Sequence, residues 1–250
     1  MAEHKVALVT GGAKRIGAAI CEALAEAGTA VIIHCRTSRD EADQLAARIQ
    51  AKGGQAGVVT ADLADPASVA GLMAAAGAPF GPVDLLVNNA SVFLADTLHS
   101  IDVPTWNRQF SVNLRAPSVL AKDMAAALPE GRCGAIINII DQRVWKLTPE
   151  FYSYTLTKSA LWAATQTMAQ TLAPRIRVNA VGPGPTLGNM HDGEAGVMKE
   201  AAGTLLRQQV SPQAIADAVL YLAGATSVTG QMIAVDSGQH LGWKTPDIVG

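Results

Sequence analysis

Tyr154 and Lys158 stand four residues apart, a spacing that places both on one face of a helix. A free tyrosine hydroxyl has a pKa near ~10 and is a poor acid or base at neutral pH. An ammonium beside it favours the phenolate and pulls that pKa towards the working range, which is proton-transfer chemistry. Asp141 closes the apolar run Ile136-Ile137-Asn138-Ile139-Ile140. Burial raises a carboxyl pKa, so a carboxylic acid at such a strand end can also carry a deliverable proton. Near the amino terminus, Thr10-Gly11-Gly12-Ala13-Lys14-Arg15-Ile16-Gly17 joins an apolar run to a helical one. Glycine there permits a tight turn and close backbone approach, and a helix start offers N–H groups and a favourable dipole to a pyrophosphate. The spacing is not G-x-G-x-x-G, so the turn alone also reads as a plain strand-to-helix connection. Its place between the first strand and the first helix favours phosphate.

About twenty residues on, where an NAD enzyme carries an acid for the ribose 2′-hydroxyl, the chain reads His34-Cys35-Arg36-Thr37-Ser38. Arg36 can bind a 2′-phosphate with a fork of charged donors, and Thr37 and Ser38 add hydroxyls. Lys14 and Arg15 bring two more cations to the same end. The missing acid and these cations favour NADPH. Asp62, followed by Leu63, is placed either to meet the adenine or to start the next helix.

These groups need a rigid frame, and the hydrophobic pattern supplies one. Strands are predicted at Val6–Val9, Ala30–Cys35, Ala56–Thr60, Val83–Val87, Ala135–Ile140, Arg177–Val181 and Met232–Val235. Helices are predicted at Ile16–Ala27, Arg39–Ala51, Pro66–Ala75, Pro104–Leu128, Phe151–Leu172 and Pro212–Ala223. Strand–helix alternation means a doubly wound parallel sheet of the Rossmann type, with helices on both faces. The rhythm breaks between residues 182 and 209, where a Gly/Pro-rich opening leads to a helical stretch with no companion strand; it reads as a substrate lid or as a surface excursion. No linker divides the 250 residues, so one domain over 1–250 is expected.

Composition narrows the function classes. Apolar residues make up 49% and aromatics only 4%, so the core must be built from Ala, Val, Leu and Ile, which suits helices on a parallel sheet. A net charge of −2 gives no broad basic footprint for nucleic acid. No apolar run reaches the ~18 residues a membrane span needs, and a cytoplasmic protein is expected. Cys21, Cys35 and Cys133 lie far apart, and no histidine pair has metal-ligand spacing, so no metal is expected. His191 and His240 can reach the site from the lid and the carboxyl terminus. Trp145 and Trp162 flank it, more as packing than as binding groups.

Taken in order, the turn Thr10–Gly17, Asn88-Asn89-Ala90, Asn113, Tyr154/Lys158 and Pro183-Gly184 resemble the short-chain dehydrogenase/reductase family over almost the whole chain. The resemblance implies Tyr154 as acid–base, Lys158 lowering its pKa and holding the nicotinamide ribose, and Asn113 supporting a relay water. It also implies Gly11, Ile16, Gly17, His34, Leu63, Asn89 and Ala90 against the cofactor, and Pro183, Gly184 and Thr186 at its carboxamide. Homotetramers are common in that family.

Two departures sharpen the resemblance. Arg15 replaces a glycine of the usual turn, and Asp141 replaces the serine expected thirteen residues before the tyrosine. An ionised carboxylate cannot donate to a substrate carbonyl. Both departures, with Asn88-Asn89-Ala90-Ser91-Val92-Phe93, are similar to the pteridine reductase branch, which includes the bacterial dihydromonapterin reductases. That implies a pterin-like substrate touching Arg15, Ser91, Phe93, Asp141 and Tyr154, with Phe93 stacked on the ring opposite the nicotinamide. The implied reaction is NADPH-dependent reduction of a dihydropteridine (dihydromonapterin, dihydrobiopterin or dihydrofolate). The alternatives are a carbonyl or imine reductase of the same family and a dinucleotide-sensing scaffold.

Overall fold

The computed structural model describes residues 4–187 and 193–243. Seven parallel strands form one sheet in the order β3-β2-β1-β4-β5-β6-β7: β1 Val6–Val9, β2 Ala30–Cys35, β3 Ala56–Thr60, β4 Leu85–Asn88, β5 Gly134–Ile139, β6 Ile176–Pro183 and β7 Met232–Val235. The central strands are continuous apolar runs because helices cover both sheet faces. Alternation along β1 shows the two sides. Ala7 and Val9 pack with α1 Arg15–Glu26, α2 Arg39–Ala51 and α9 Pro212–Gly224 through Ile20, Leu45 and Val219. Val6 and Leu8 pack with Met73, Leu120 and Ala169 on the other face.

That second face carries α3 Pro66–Ala70, α4 Leu72–Gly77, α5 Val103–Phe110, α6 Ala116–Ala127 and α7 Tyr152–Leu172. The single helix expected from Pro66 to Ala75 is split at Gly71 into α3 and α4. The helix expected from Pro104 to Leu128 is interrupted by a π turn at Ser111–Arg115, where the Ala116 N–H reaches back to the Ser111 carbonyl. Pro117 explains it: proline has no N–H for the carbonyl four residues earlier, and its ring crowds that carbonyl. The displaced carbonyl is that of Asn113, so the interruption falls on a residue singled out for chemistry.

The chain order reverses beside β1, between β1 and β4, and a crevice opens there at the carboxyl ends of the strands. The Thr10 turn and the Asn89 loop form its floor, tied by Thr10 N–H to the Val87 carbonyl at 3.0 Å. Beyond β6, α8 Gly193–Ala202 supplies the helical part of the 182–209 segment. The ends of that segment are joined by Val210 N–H to the Pro185 carbonyl, 2.9 Å. Residues 188–192, with His191, lie outside the described part. Among the described residues no helix is long and apolar enough to cross a membrane.

Candidate active site

Gly11 turns the chain at φ +61, and its N–H donates to His34 Nδ1 at 3.1 Å. The other ring nitrogen of His34 meets the Ala61 carbonyl at 3.1 Å, so Nδ1 accepts and Nε2 carries the proton. Burial pushes this histidine down to about 4, which keeps it neutral. His34 lines the cleft in which the cofactor is expected, and its ring also braces the turn. Gly17 admits no side chain, since a Cβ would run into the Gly11 carbonyl and the Asn89 amide. A Cβ on Gly12 would come within 2.9 Å of Cys21 Sγ. Asn89 Nδ2 donates to the Thr10 and Gly11 carbonyls at 2.9 and 3.0 Å, and Thr10 Oγ1 accepts from Asn89 and Ala90 N–H, both at 3.0 Å. The result is a backbone-walled cradle at the start of α1, a shape that fits a dinucleotide pyrophosphate.

Arg36, Thr37, Ser38, Lys14, Asp62 and Leu63 surround the outer end of this cleft. Its cations already have partners: Lys14 Nζ lies 2.5 Å from Glu41, and Arg36 lies 4.0 Å from Asp62. Both pairs are about half exposed, so each contributes little and an incoming phosphate can replace it. Asp62 Oδ1 also accepts from Ala64 N–H at 2.9 Å, which fixes its own turn. Arg15 follows at φ +56, a left-handed conformation that suits the glycine it replaces. A non-glycine residue held there costs about 1–3 kcal/mol, which is tolerated where the side chain is needed. Its Nη2 donates to the Leu187 carbonyl at 3.2 Å, across the mouth of the cleft.

The proton-transfer groups meet where β5 ends against α7. Tyr154 OH donates to Asp141 Oδ2 at 3.0 Å, and Asp141 Oδ1 accepts from Arg143 N–H at 2.8 Å. Burial raises the Asp141 carboxyl above its ordinary value, against the Arg143 N–H and charge, the Tyr154 hydroxyl and the Lys158 charge. Tyr154 is raised well above ~10 by burial and then by the Asp141 carboxylate. The helical spacing predicts that Lys158 lowers it; here burial and Asp141 outweigh any such effect. Lys158 Nζ donates to the Ile139 carbonyl at 2.9 Å and lies 5.6 Å from the Tyr154 ring centroid; burial lowers it to about 8. Two anions cannot share so small a space, so the Asp141–Tyr154 pair keeps at least one proton.

Asn113 sits between the 91–93 loop and α7. Its Oδ1 accepts from Val92 N–H and Ser91 Oγ, and its Nδ2 donates to the Val92 carbonyl and Thr157 Oγ1, at 2.8 to 3.3 Å. The side chain is fully used in clamping the 91–93 loop to α7. Asp96 performs a similar task at the start of that helix, accepting from Ser153 N–H at 3.0 Å.

Phe93 stacks face to face on Phe151, centroids 4.2 Å apart, and meets Tyr154 in a T-shaped pair at 4.6 Å. Arg143 lies over the Phe151 ring at 5.3 Å. Phe93, Asp141, Tyr154, Pro183, Gly184 and Thr186 line one cleft. Arg15, Ile16, Asn89, Ser91 and Lys158 line a pocket that shares Asp141, Tyr154 and Gly184 with it. Gly184 is fixed by Asp236, whose Cα would stand 2.5 Å from any Cβ there. From the 182–209 segment, Val197 and Glu200 of α8 also reach the cleft.

A model of the short chain dehydrogenase family matches residues 5–196. The chain belongs to that family and is an oxidoreductase. Among solved short-chain dehydrogenases, it is similar to FolM alternative dihydrofolate reductase 1 from Brucella canis complexed with NADP. The two are 50% identical, with a TM-score of 0.96, over 100% of this chain and 99% of that one. A blue fluorescent protein from a metagenomic library, in complex with NADPH, is 37% identical, with a TM-score of 0.87, over 94% of this chain and 97% of that one. An uncharacterized oxidoreductase from Methylorubrum extorquens is 40% identical over 94% of this chain and 98% of its own length.

Within this short-chain dehydrogenase, most of the residues singled out in the sequence line adjoining clefts that make up one crevice. The cofactor candidates line its outer part, and the proton-transfer and substrate candidates its inner part. Trp145 and Trp162 pack edge to face at 6.3 Å, and Trp145 lies 5.1 Å from His240. His240 pairs with Asp236 at 2.6 Å. Sequence reasoning missed Phe151, Gln142, Arg143 and Gln239. A signal existed for two of them, because residues directly after a strand-end acid must share its cleft. Phe151, at φ +53 before α7, gave none.

Proposed function

We propose that this short-chain dehydrogenase uses NADPH to reduce a dihydropteridine to its tetrahydro form. The observation that carries the reading is the Tyr154 hydroxyl donating to Asp141 at 3.0 Å, in a cleft walled by Phe93. The Brucella canis and metagenomic structures, which hold NADP and NADPH, support the choice of cofactor. So do Arg36, Ser38 and Lys14 around the site for a 2′-phosphate.

Gly11, Gly17 and the start of α1 hold the pyrophosphate, Lys158 the nicotinamide ribose, and Thr186 with the Pro183–Gly184 backbone the carboxamide. When bound, the cofactor supplies a hydride to carbon. Reducing a C=N bond then requires one proton on nitrogen. On this reading Asp141 and Tyr154 carry two protons between them before the step, since burial raises both groups, and one after it, so the penalised doubly ionised pair never forms. The proton passes from this pair to the ring nitrogen, and solvent restores it through the cleft. Phe93, backed by Phe151, offers a flat apolar wall for a heteroaromatic ring. Arg15 spans the ring and the phosphates, and the 182–209 segment acts as the lid. The family resemblance supports assembly as a homotetramer and the sequence composition a cytoplasmic protein, which light scattering and fractionation test.

The test is NADPH oxidation against a panel of dihydropterins, dihydrofolate and simple ketones. The reading expects kcat/KM for dihydropterins to exceed that for ketones by orders of magnitude. A preference for ketones would make the protein a carbonyl reductase.

A further inference from the structure

Asp96 is a buried acid that the chemistry above does not use. It is only 5% exposed, and Gln109 and Ser153 beside it are fully buried. The three come from separate parts of the chain: the loop after β4, α5 and the start of α7. Ser153 Oγ donates to Asp96 Oδ2 and accepts from Gln109 Nε2, both at 2.5 Å. Gln109 Oε1 accepts from Leu94 N–H at 3.3 Å, which ties the same loop to α5. Asp96 Oδ1 accepts from Ser153 N–H at 3.0 Å, so both carboxylate oxygens act only as acceptors. The run Gln109–Ser153–Asp96 therefore has a single hydrogen-bond direction.

The cluster sits where α7 most needs support. A helix start leaves N–H groups without intrahelical partners, and Phe151, the residue ahead of α7, has no polar side chain to offer them. Asp96 supplies the cap from fifty-seven residues away: its carbonyl accepts Tyr152 N–H at 3.2 Å and its carboxylate accepts Ser153 N–H. Tyr154 comes next, third in the helix, within the turn that this cap secures. Phe93, on the same loop as Asp96, packs against Tyr154 at 4.6 Å, and Asn113 grips Thr157 one turn further on. A serine or aspartate at position 151 would cap the helix from within its own segment. A cap imported from the Phe93 loop also fixes the acid against the wall of the cleft. We propose that Asp96 is a positioning residue: through Ser153 it holds the Tyr154 hydroxyl at its 3.0 Å distance from Asp141, and Gln109 orients the Ser153 hydroxyl. The inference rests on Tyr154 as proton donor in the reading above, and on no particular substrate.

Asp96→Asn keeps the size and one acceptor, but its amide offers Ser153 O–H a donor where an acceptor is needed. kcat, KM and NADPH affinity are measured for the wild type, Asp96→Asn, Tyr154→Phe and the double variant, with dihydrobiopterin and a simple ketone as probes. Asp96→Asn is expected to lower kcat by roughly ten- to a hundred-fold, the scale of a misplaced reacting group, with NADPH affinity within about two-fold of wild type. In the Tyr154→Phe background the same substitution should leave kcat almost unchanged, because the hydroxyl it positions is gone. A kcat loss of equal size in both backgrounds, or one matched by lost NADPH affinity, would make Asp96 a structural cap and overturn the inference. So would an unchanged kcat in Asp96→Asn. Fluorescence titration with NADPH reports folding; should Asp96→Asn not fold, Ser153→Ala, which removes the hydroxyl and keeps the capped N–H, runs through the same cycle. Failure of the cycle alone leaves the proton-donor reading standing. Full turnover in Tyr154→Phe, or a wild type that reduces neither probe, removes both.

Discussion

The two ends of the crevice are built on opposite electrostatic plans. At the outer end, Lys14, Glu41, Arg36 and Asp62 form half-exposed ion pairs in water. At the inner end, Asp141, Tyr154 and Lys158 are wrapped by protein, and each is shifted towards its uncharged form. Exposed charges can recognise an anion because exchanging one screened partner for another costs little. Buried titratable groups suit proton transfer because burial holds the proton near the point of use. On the proposed reading, recognition is placed where charge is cheap, and chemistry where it is costly.

The largest effect should come from the buried end. Tyr154→Phe removes the hydroxyl that donates to Asp141 and should lower kcat by about 10²–10⁴-fold, with NADPH affinity nearly intact. Rapid-mixing turnover and cofactor titration on the same preparation check it. Unchanged turnover would shift the acid role to Asp141 alone and weaken the contrast between the two ends.

At the exposed end the expected effect is smaller and confined to binding. Arg36→Asp should weaken NADPH by roughly ten- to a hundred-fold, the scale of charge-assisted hydrogen bonds, while NADH changes little. Titrating both cofactors against both proteins measures it. Equal wild-type affinity for NADH and NADPH would show that these cations do not read a phosphate.

The pH dependence separates the ends without a mutation. A raised Asp141 pKa means that the doubly protonated pair is present at low pH and lost as pH rises through that value. Reductase kcat/KM should therefore fall with rising pH along a limb above the ordinary carboxylate range, whereas NADPH affinity should not follow that limb. A profile flat from pH 5 to 8 would contradict the assignment.

The outer end was the easier to read from sequence, for a physical reason. Glycines, the strand-end Arg36 and the missing acid act through backbone shape and residue type, and both are local in the chain. The strands were equally legible, because burial on both faces leaves continuous apolar runs such as Ala30–Cys35. The inner end depends on contacts between distant segments. Tyr154 and Lys158 were found by their helical spacing, but the rise in the tyrosine's pKa comes first from burial and then from Asp141, thirteen residues away and on another element. The π turn under Asn113 was written in Pro117, yet a periodicity argument passes over it. Phe151 stacks on Phe93 from fifty-eight residues away, and no local pattern announces such a pair.

The central claim is that Asp141, paired with Tyr154, is the proton source for a ring nitrogen, and Asp141→Ser tests it most directly. The substitution restores the serine usual in the family while leaving the cradle at α1 untouched. Measured side by side, kcat/KM for a dihydropterin is expected to fall strongly, by about 10²-fold or more, while kcat/KM for a simple ketone holds or rises. Dihydropterin reduction that survives intact while ketone reduction is lost would contradict the account.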